Sequence, residues 1–245
     1  MATNTRPTSV MHKVRKQVNE LVPGQLITYA DLGLGSDQFA AVAAALSRLY
    51  KQGVLQRFSR GTYFRPNETR FGNLQPSQAA VIETLTTKRG RPVGYASGAS
   101  VYNQLGFTTQ VPGEIVIATP RPRRRLPERV RFVLGQTPKR PGDVPLLQLL
   151  DVLRDIKRIS DTRPDQVVAR LRLQLGKLDE RARQRLTWLA RKAAPRARAL
   201  LGALLELEGD KRNADRLRKT LNQVTSYRLG ISAQALPNRQ SWYIR

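Results

Sequence analysis

The sequence predicts an α+β protein, with a small mixed N-terminal domain followed by a mixed domain that becomes helical towards its C-terminal end. Apolar residues recur at three-to-four-residue spacing over 10–22 and 37–52, the mark of amphipathic helices. Short alternating runs at 54–58, 62–64, 114–119 and 130–134 have the two-residue period of strands. From Val144 onward helical spacing is nearly continuous.

Composition narrows the function classes. The 245 residues are 40% hydrophobic and 25% charged, ordinary values for a folded chain. The charge balance is not ordinary: 43 Lys and Arg face 18 Asp and Glu, a net charge of +25. Such an excess calls for a polyanion, with nucleic acid ahead of an acidic protein or an anionic membrane surface. There is no Cys, and His12 is the single His. That removes disulfides, Cys-based zinc sites and cysteine nucleophiles, so no catalytic residue, metal or cofactor is expected. No apolar run reaches the roughly 18 residues of a membrane span, and the first nine residues are polar rather than signal-like. A cytoplasmic protein is the expectation.

Residues 1–9 read as a flexible arm. Val10, Val14, Val18 and Leu21/Val22 share one face of a first helix, which Pro23-Gly24 ends. Thr28 and Asp31 form a capping box for a short second helix that stops near Gly33–Gly35. Ser36 is placed to cap a third helix, Asp37 to Gln52, with Phe39, Val42, Ala43, Leu46 and Leu49 inward. Its outer face carries Gln38, Ala41, Ala44/Ala45, Arg48 and Lys51. Small residues there admit close backbone approach, and Gln pairs with adenine. Residues 54–58 and 62–64 flank Ser59-Arg60-Gly61, a hairpin turn with Gly where positive φ is required. Two short helices, a longer one and a basic hairpin make a winged helix-turn-helix over 10–66, with its third helix directed at the DNA major groove.

Residues 67–76 read as a linker and 77–245 as the second domain. Ser77 is expected to cap a helix reaching about Lys88, with Ala80, Val81 and Leu85 inward. The following Arg89-Gly90-Arg91-Pro92 reads as helix termination or as the core of a minor-groove hook. A small-residue helix ends at Gly106, and strands at 114–119 and 130–134 flank an arginine-rich turn. That turn holds Arg121, Arg123, Arg124 and Arg125, with Arg129 following, a candidate contact for nucleic acid or an acidic partner. Downstream, Leu146, Leu149/Leu150, Leu153 and Ile156 form a stripe. Thr162 to Asp165 reads as a capping box, Asp179 opens another helix, and Arg196–Glu208 and Asn213–Val224 complete the set. Residues 1–76 hold ten basic and four acidic residues, so most of the excess charge lies in the second domain.

Three blocks together resemble the antitoxins of the abortive-infection type E (AbiEi) family, including its closely related family of unknown function. They are Arg60-Gly61-Thr62-Tyr63, the stretch from Gly94-Tyr95-Ala96-Ser97-Gly98 to Leu105-Gly106-Phe107-Thr108-Thr109-Gln110-Val111-Pro112, and Arg198-Ala199-Leu200-Leu201-Gly202-Ala203-Leu204-Leu205-Glu206. The resemblance implies a bacterial, cytoplasmic DNA-binding antitoxin. Its winged helix would bind double-stranded DNA at its own promoter, and its C-terminal domain would counteract a co-encoded nucleotidyltransferase toxin, directly or indirectly. DNA-reading positions would be Ser36, Gln38, Ala41, Ala45, Arg48 and Lys51 on the recognition helix. Thr28, Tyr29, Arg57, Ser59, Arg60 and Thr62 would support them from the second helix and the wing. A stand-alone regulator with a ligand-binding or oligomerising second domain is the alternative. An enzyme is disfavoured, because Asp151 and Asp155 share a helix face with Arg154 and read as ion pairs.

Overall fold

The computed structural model describes residues 9–70, 72–88, 90–122 and 128–245, leaving aside the side chains of Ser36 and Glu68. Of the arm expected at 1–9, residues 1–8 lie outside the described residues, as do Arg123, Arg124 and Arg125. The chain divides into two compact units, one within Met1–Val93 and Arg123–Val130, the other within Gly94–Pro122 and Arg131–Arg245.

In the first unit, α1 (Val10–Glu20) is capped by Ser9, whose hydroxyl accepts from His12 N, and it buries Val14 and Val18. Strand β1 (Leu26–Thr28) follows; three residues are too few for periodicity to reveal it. The capping box holds: Asp31 Oδ2 accepts from Thr28 N at 2.7 Å and from Thr28 Oγ1 at 2.6 Å. The helix it caps is a single 3₁₀ turn, Tyr29–Leu32, ended by Gly33. Ser36–Gln38 is a second 3₁₀ turn, so the long helix α2 starts at Phe39 and runs to Lys51. Its buried stripe is Val42, Ala45, Leu46 and Leu49. Phe39 and Ala43, expected inward, are exposed. The stripe follows the 3.6-residue period through 42, 45/46 and 49, which turns 39 and 43 to its margins. Phe39 instead meets the Tyr29 ring edge-on at 4.6 Å.

Strands β2 (Gln56–Ser59) and β3 (Thr62–Phe64) form the expected hairpin, with Gly61 at φ 77° in its turn. β1 adds to the far side of β3, giving an antiparallel sheet of order β1-β3-β2. Residues 67–76, expected as a linker, hold a further ribbon: β4 (Asn67–Thr69) pairs with β5 (Gly72–Leu74). Helix α3 (Gln78–Thr86) is capped by Ser77 and ends two residues short of the expected Lys88. The next residues pair instead as a tight hairpin, β6 (Thr87–Lys88) with β7 (Arg91–Pro92).

In the second unit β8 (Tyr95–Ser97), β9 (Ile115–Thr119) and β10 (Val130–Leu134) form a sheet of order β10-β9-β8. The expected 115–119/130–134 pairing is therefore present, extended by the strand inside Gly94-Tyr95-Ala96-Ser97-Gly98. Gly98 has φ 74°, and a Cβ there would stand 2.8 Å from the Val116 side chain. Both facts demand glycine where β8 turns into α4 (Ala99–Gln104).

Five helices follow: α5 (Asp143–Asp155), α6 (Pro164–Gly176), α7 (Glu180–Ala190), α8 (Pro195–Leu207) and α9 (Lys211–Arg218). Asp179 caps α7 as expected, accepting from Ala182 N at 2.7 Å. The start of α6 differs from expectation, because Pro164 at its first position moves the cap to Arg163. Thr162 donates to Phe107 O instead, and Asp165 accepts from Ser232 N. α9 is shorter than the expected 213–224; Asp210 caps it and it ends at Arg218.

Helix α8 is the centre of this unit, with Ala197 and every residue from Ala199 to Leu205 buried. Trp242, fully buried, lies directly against Gly202, leaving no room for a side chain there. A parallel bridge between Tyr227 and Ile244 returns the chain to this position. Gly202→Ala should therefore lower unfolding stability by about 1–3 kcal/mol through overpacking. Urea denaturation followed by circular dichroism measures this; an unchanged midpoint would remove the indole from its assigned seat.

Candidate nucleic-acid interface

The exposed face of α2 is small and then basic. Ala40, Ala41, Ala43 and Ala44 occupy its first turns, and Arg48 and Lys51 its last. Cations at a helix C-terminal end interact favourably with the helix dipole, so these two are placed without cost to the helix. Neither is in an ion pair among the described residues, which leaves their charge available to a polyanion. Ala45 does not belong to this face: it is buried between Val42 and Leu49 in the helical repeat. The side chain of Ser36 lies outside the described residues.

Gln38 is half-buried, and its Oε1 is enclosed without a hydrogen-bond partner among the described residues. Its carbonyl therefore faces the protein rather than the outer surface expected for base pairing. Thr28 and Tyr29 are likewise committed internally. The Thr28 hydroxyl is tied to Asp31, and the Tyr29 hydroxyl donates to Gly35 O at 2.8 Å. These two fix the approach to α2 rather than extending its surface.

The β2–β3 hairpin adds Arg57 and Arg60, both exposed, with Ser59 and Thr62 half-buried across the turn. Ser59 and Thr62 are direct partners in register, beside an irregularity between Arg57 and Ser59. A register shift of this kind sharpens local twist and re-aims the tip. Arg65, at the base of the hairpin, donates to Asn19 O and Leu21 O and so closes the C-terminal end of α1. Its charge is structural. α2 and the β2–β3 hairpin thus offer Arg48, Lys51, Arg57 and Arg60, none of them in an ion pair among the described residues.

Of the arginine-rich turn in the β9–β10 connection, Arg121 and Arg129 are described and both are exposed. Arg129 adopts φ 60°, an uncommon conformation for a residue with a side chain.

The second unit's acidic side chains are largely consumed internally. Arg154 pairs with Asp151 at 2.6 Å and with both oxygens of Asp155 at 3.1 and 2.8 Å. Ser97 donates to Asp151 and Tyr102 to Asp155, joining β8 and α4 to α5. Burial raises the Asp151 pKa, whereas at Asp155 the bidentate guanidinium outweighs burial and lowers it. This shared-face pair is the ion-pair arrangement expected from its spacing. No group of three or more acidic or His side chains able to hold a metal occurs among the described residues.

Asp143, fully buried, takes two 2.8 Å contacts from Arg185 and accepts from the amides of Lys139 and Arg140. The Arg185 hydrogen bonds, more than any other cause, hold its pKa below 3.8. Sequence spacing could not reveal this pair, whose members are 42 residues apart.

Residues 13–134 match the model of a family of unknown function, DUF6088. No curated protein matches the chain. Among solved structures, the crystal structure of the RV2827C protein from Mycobacterium tuberculosis is similar, with a TM-score of 0.48 and 17% identity. That match covers 92% of this chain and 85% of the other. No helix among the described residues is long and apolar enough to cross a membrane.

The Asp143–Arg185 pair has a defined pH signature. Because Asp143 ionises more readily in the folded state, the unfolded chain takes up its proton first as pH falls. The pair's stabilisation is complete well above 3.8 and is lost as pH drops through and below that value. Asp143→Ala should cost about 3–5 kcal/mol at neutral pH, since it strands Arg185. The difference from the unaltered protein should narrow on acidification. Chemical denaturation at pH 7 and pH 3 reads both effects.

Proposed function

We propose that the first unit is a winged helix-turn-helix that binds double-stranded DNA, and that the protein is an autorepressing antitoxin of the AbiEi type. The observation that carries the DNA reading is the sheet order β1-β3-β2 beside a helix of mixed small and basic surface. In this arrangement α2 enters the major groove by its alanine-lined face, where no bulky side chain holds the backbone away. Arg48 and Lys51 then approach base edges or phosphates from the last turn. Arg57 and Arg60 are the wing, contacting phosphates or a minor groove alongside.

The antitoxin part rests on the family-like blocks in the sequence and on the match over residues 13–134 to a family of unknown function. In this reading the protein acts in the bacterial cytoplasm. The second unit opposes a nucleotidyltransferase toxin encoded beside it, while the first unit represses the shared promoter. The protein performs no catalysis of its own in this scheme.

Binding to the upstream promoter region should weaken steeply as salt rises, because phosphate contacts release counterions. Arg60→Ala should weaken binding to all duplexes alike and reduce the log–log salt slope by about 1. Arg48→Ala should cost about 1–3 kcal/mol on the cognate site and flatten sequence preference. Electrophoretic mobility shifts against cognate and scrambled duplexes separate the two. Equal effects of both variants would remove the distinction between helix and wing.

The antitoxin role predicts a nucleotidyltransferase-like reading frame next to this one. Co-expressing the full chain should relieve that neighbour's growth arrest. The double variant Arg48→Ala, Arg60→Ala should still rescue growth while losing promoter repression. A gene with no such neighbour would favour a stand-alone regulator.

A further inference from the structure

Phe39 opens α2 and keeps 55% of its surface exposed, although helical spacing groups it with the inward residues. Its ring is not loose. Tyr29 meets it edge-on with ring centroids 4.6 Å apart, an arrangement that aromatic quadrupoles favour. The Tyr29 hydroxyl in turn donates to Gly35 O at 2.8 Å, which ties the 3₁₀ turn to the loop leading into α2. Phe39 is therefore an apolar surface held in place before any partner arrives, and ordering it on binding costs little.

Its neighbours define what it can meet. Ala40 follows it and Ala43 lies one turn on, both exposed and both small. The residue two before it, Asp37, is an exposed acid, and no basic side chain stands in α2 before Arg48. The two ends of the helix surface therefore differ in chemistry. Arg48 and Lys51 at the last turn suit phosphates. An aromatic ring behind an acid does not, and it suits an apolar group on a base edge instead.

We infer that Phe39 covers the 5-methyl group of a thymine in the major groove, as a specificity-determining residue of the DNA interface. The inference rests on the reading of the first unit as a DNA-binding winged helix-turn-helix. In that geometry the first residues of the recognition helix reach base edges. The thymine methyl is the one apolar group that a base pair presents in the major groove. It projects beside the backbone of its own strand, so a residue at the margin of the helix is better placed to cover it than one at the centre of the outer face. Phe39 stands at that margin, where it leaves the alanine-lined face clear. A purine edge at the same place would lose water from its N7 acceptor to a phenyl ring that offers no donor, so thymine is selected against purines as well as over cytosine.

Mobility-shift titration of the full chain with the upstream promoter duplex, made once with thymine and once with deoxyuridine throughout, tests this. Uracil keeps every Watson–Crick partner and removes only the methyl. The unaltered protein should bind the deoxyuridine duplex more weakly, by about fourfold for each methyl that it covers. Phe39→Ala should weaken binding to the thymine duplex and shrink the difference between the two duplexes. Phe39→Leu, which keeps apolar bulk, should retain part of that difference. Each comparison is made within one protein, so a loss of stability in a variant cancels. A Phe39→Ala variant that separates the duplexes as well as the unaltered protein does would overturn the inference. An unaltered protein indifferent to the exchange would do the same, and both results leave DNA binding itself standing. Failure to bind either duplex at low salt would remove the winged-helix reading and this inference with it.

Discussion

Helix α8 has no side that can face water along its middle, and the second unit is arranged around that constraint. Ala199 to Leu205 are all buried, so a continuous shell must cover the helix on every side. α9 and α5 supply much of that shell, α7 packs on those two, and the last segment of the chain closes the shell over α8. Trp242 closes the shell over Gly202, where the missing side chain is what lets an indole lie directly on the helix. A tryptophan buried so deeply must satisfy its N–H, and Glu206 on the same helix does so. Arg218 then stacks on the indole at 4.3 Å while pairing with that carboxylate. One apolar helix thus specifies a tryptophan, an acid to receive its N–H and a cation to neutralise the acid.

The same economy governs charge elsewhere. The chain has far more cations than anions, so its few buried acids cannot be left to repel one another or stand unpaired. Asp143, Asp151, Asp155 and Glu206 each hold an arginine that anchors one element to another or closes a helix. Those arginines are spent on structure. Arg48, Lys51, Arg57 and Arg60 have no such engagement among the described residues. On α2 and the β2–β3 hairpin the basic side chains therefore remain available for contacts outside the fold.

This explains which parts were legible in the sequence. Val14 and Val18, Leu46 and Leu49, and Leu149, Leu153 and Ile156 follow helical periodicity, and all are buried. Gly61 announced its hairpin through the conformation that only glycine adopts readily. The strands at 115–119 and 130–134 were equally plain. β1, β4 and β5 were not: each has three residues, and unlike β3, which Gly61 marks, none is announced by a turn signal that the sequence analysis could use. The apolar face of α2 was legible through Val42, Leu46 and Leu49 but its edge was not, since Ala43 and Ala45 flank that face with identical side chains and only the packing shows that Ala45 is the buried one. Ion pairs 36 to 42 residues apart, such as Arg172–Glu208 and Asp143–Arg185, leave no local trace. They decide which basic residues are free, so candidate sites drawn from charge density alone include residues that are already engaged.

The contrast between the two ends of α8 follows from this bookkeeping of partners. Both ends carry charge of the sign that the helix dipole opposes. At the Glu206 end the fold supplies an arginine, an indole N–H and an amide, and the opposing charge becomes a fixed anchor. At the Arg196 end no ion pair forms among the described residues, and Arg196 and Arg198 stay half-exposed, so water can screen the charge that the dipole opposes. The difference is one of burial: the end that is enclosed by Trp242 must answer its charge with internal donors, and the end that reaches solvent need not.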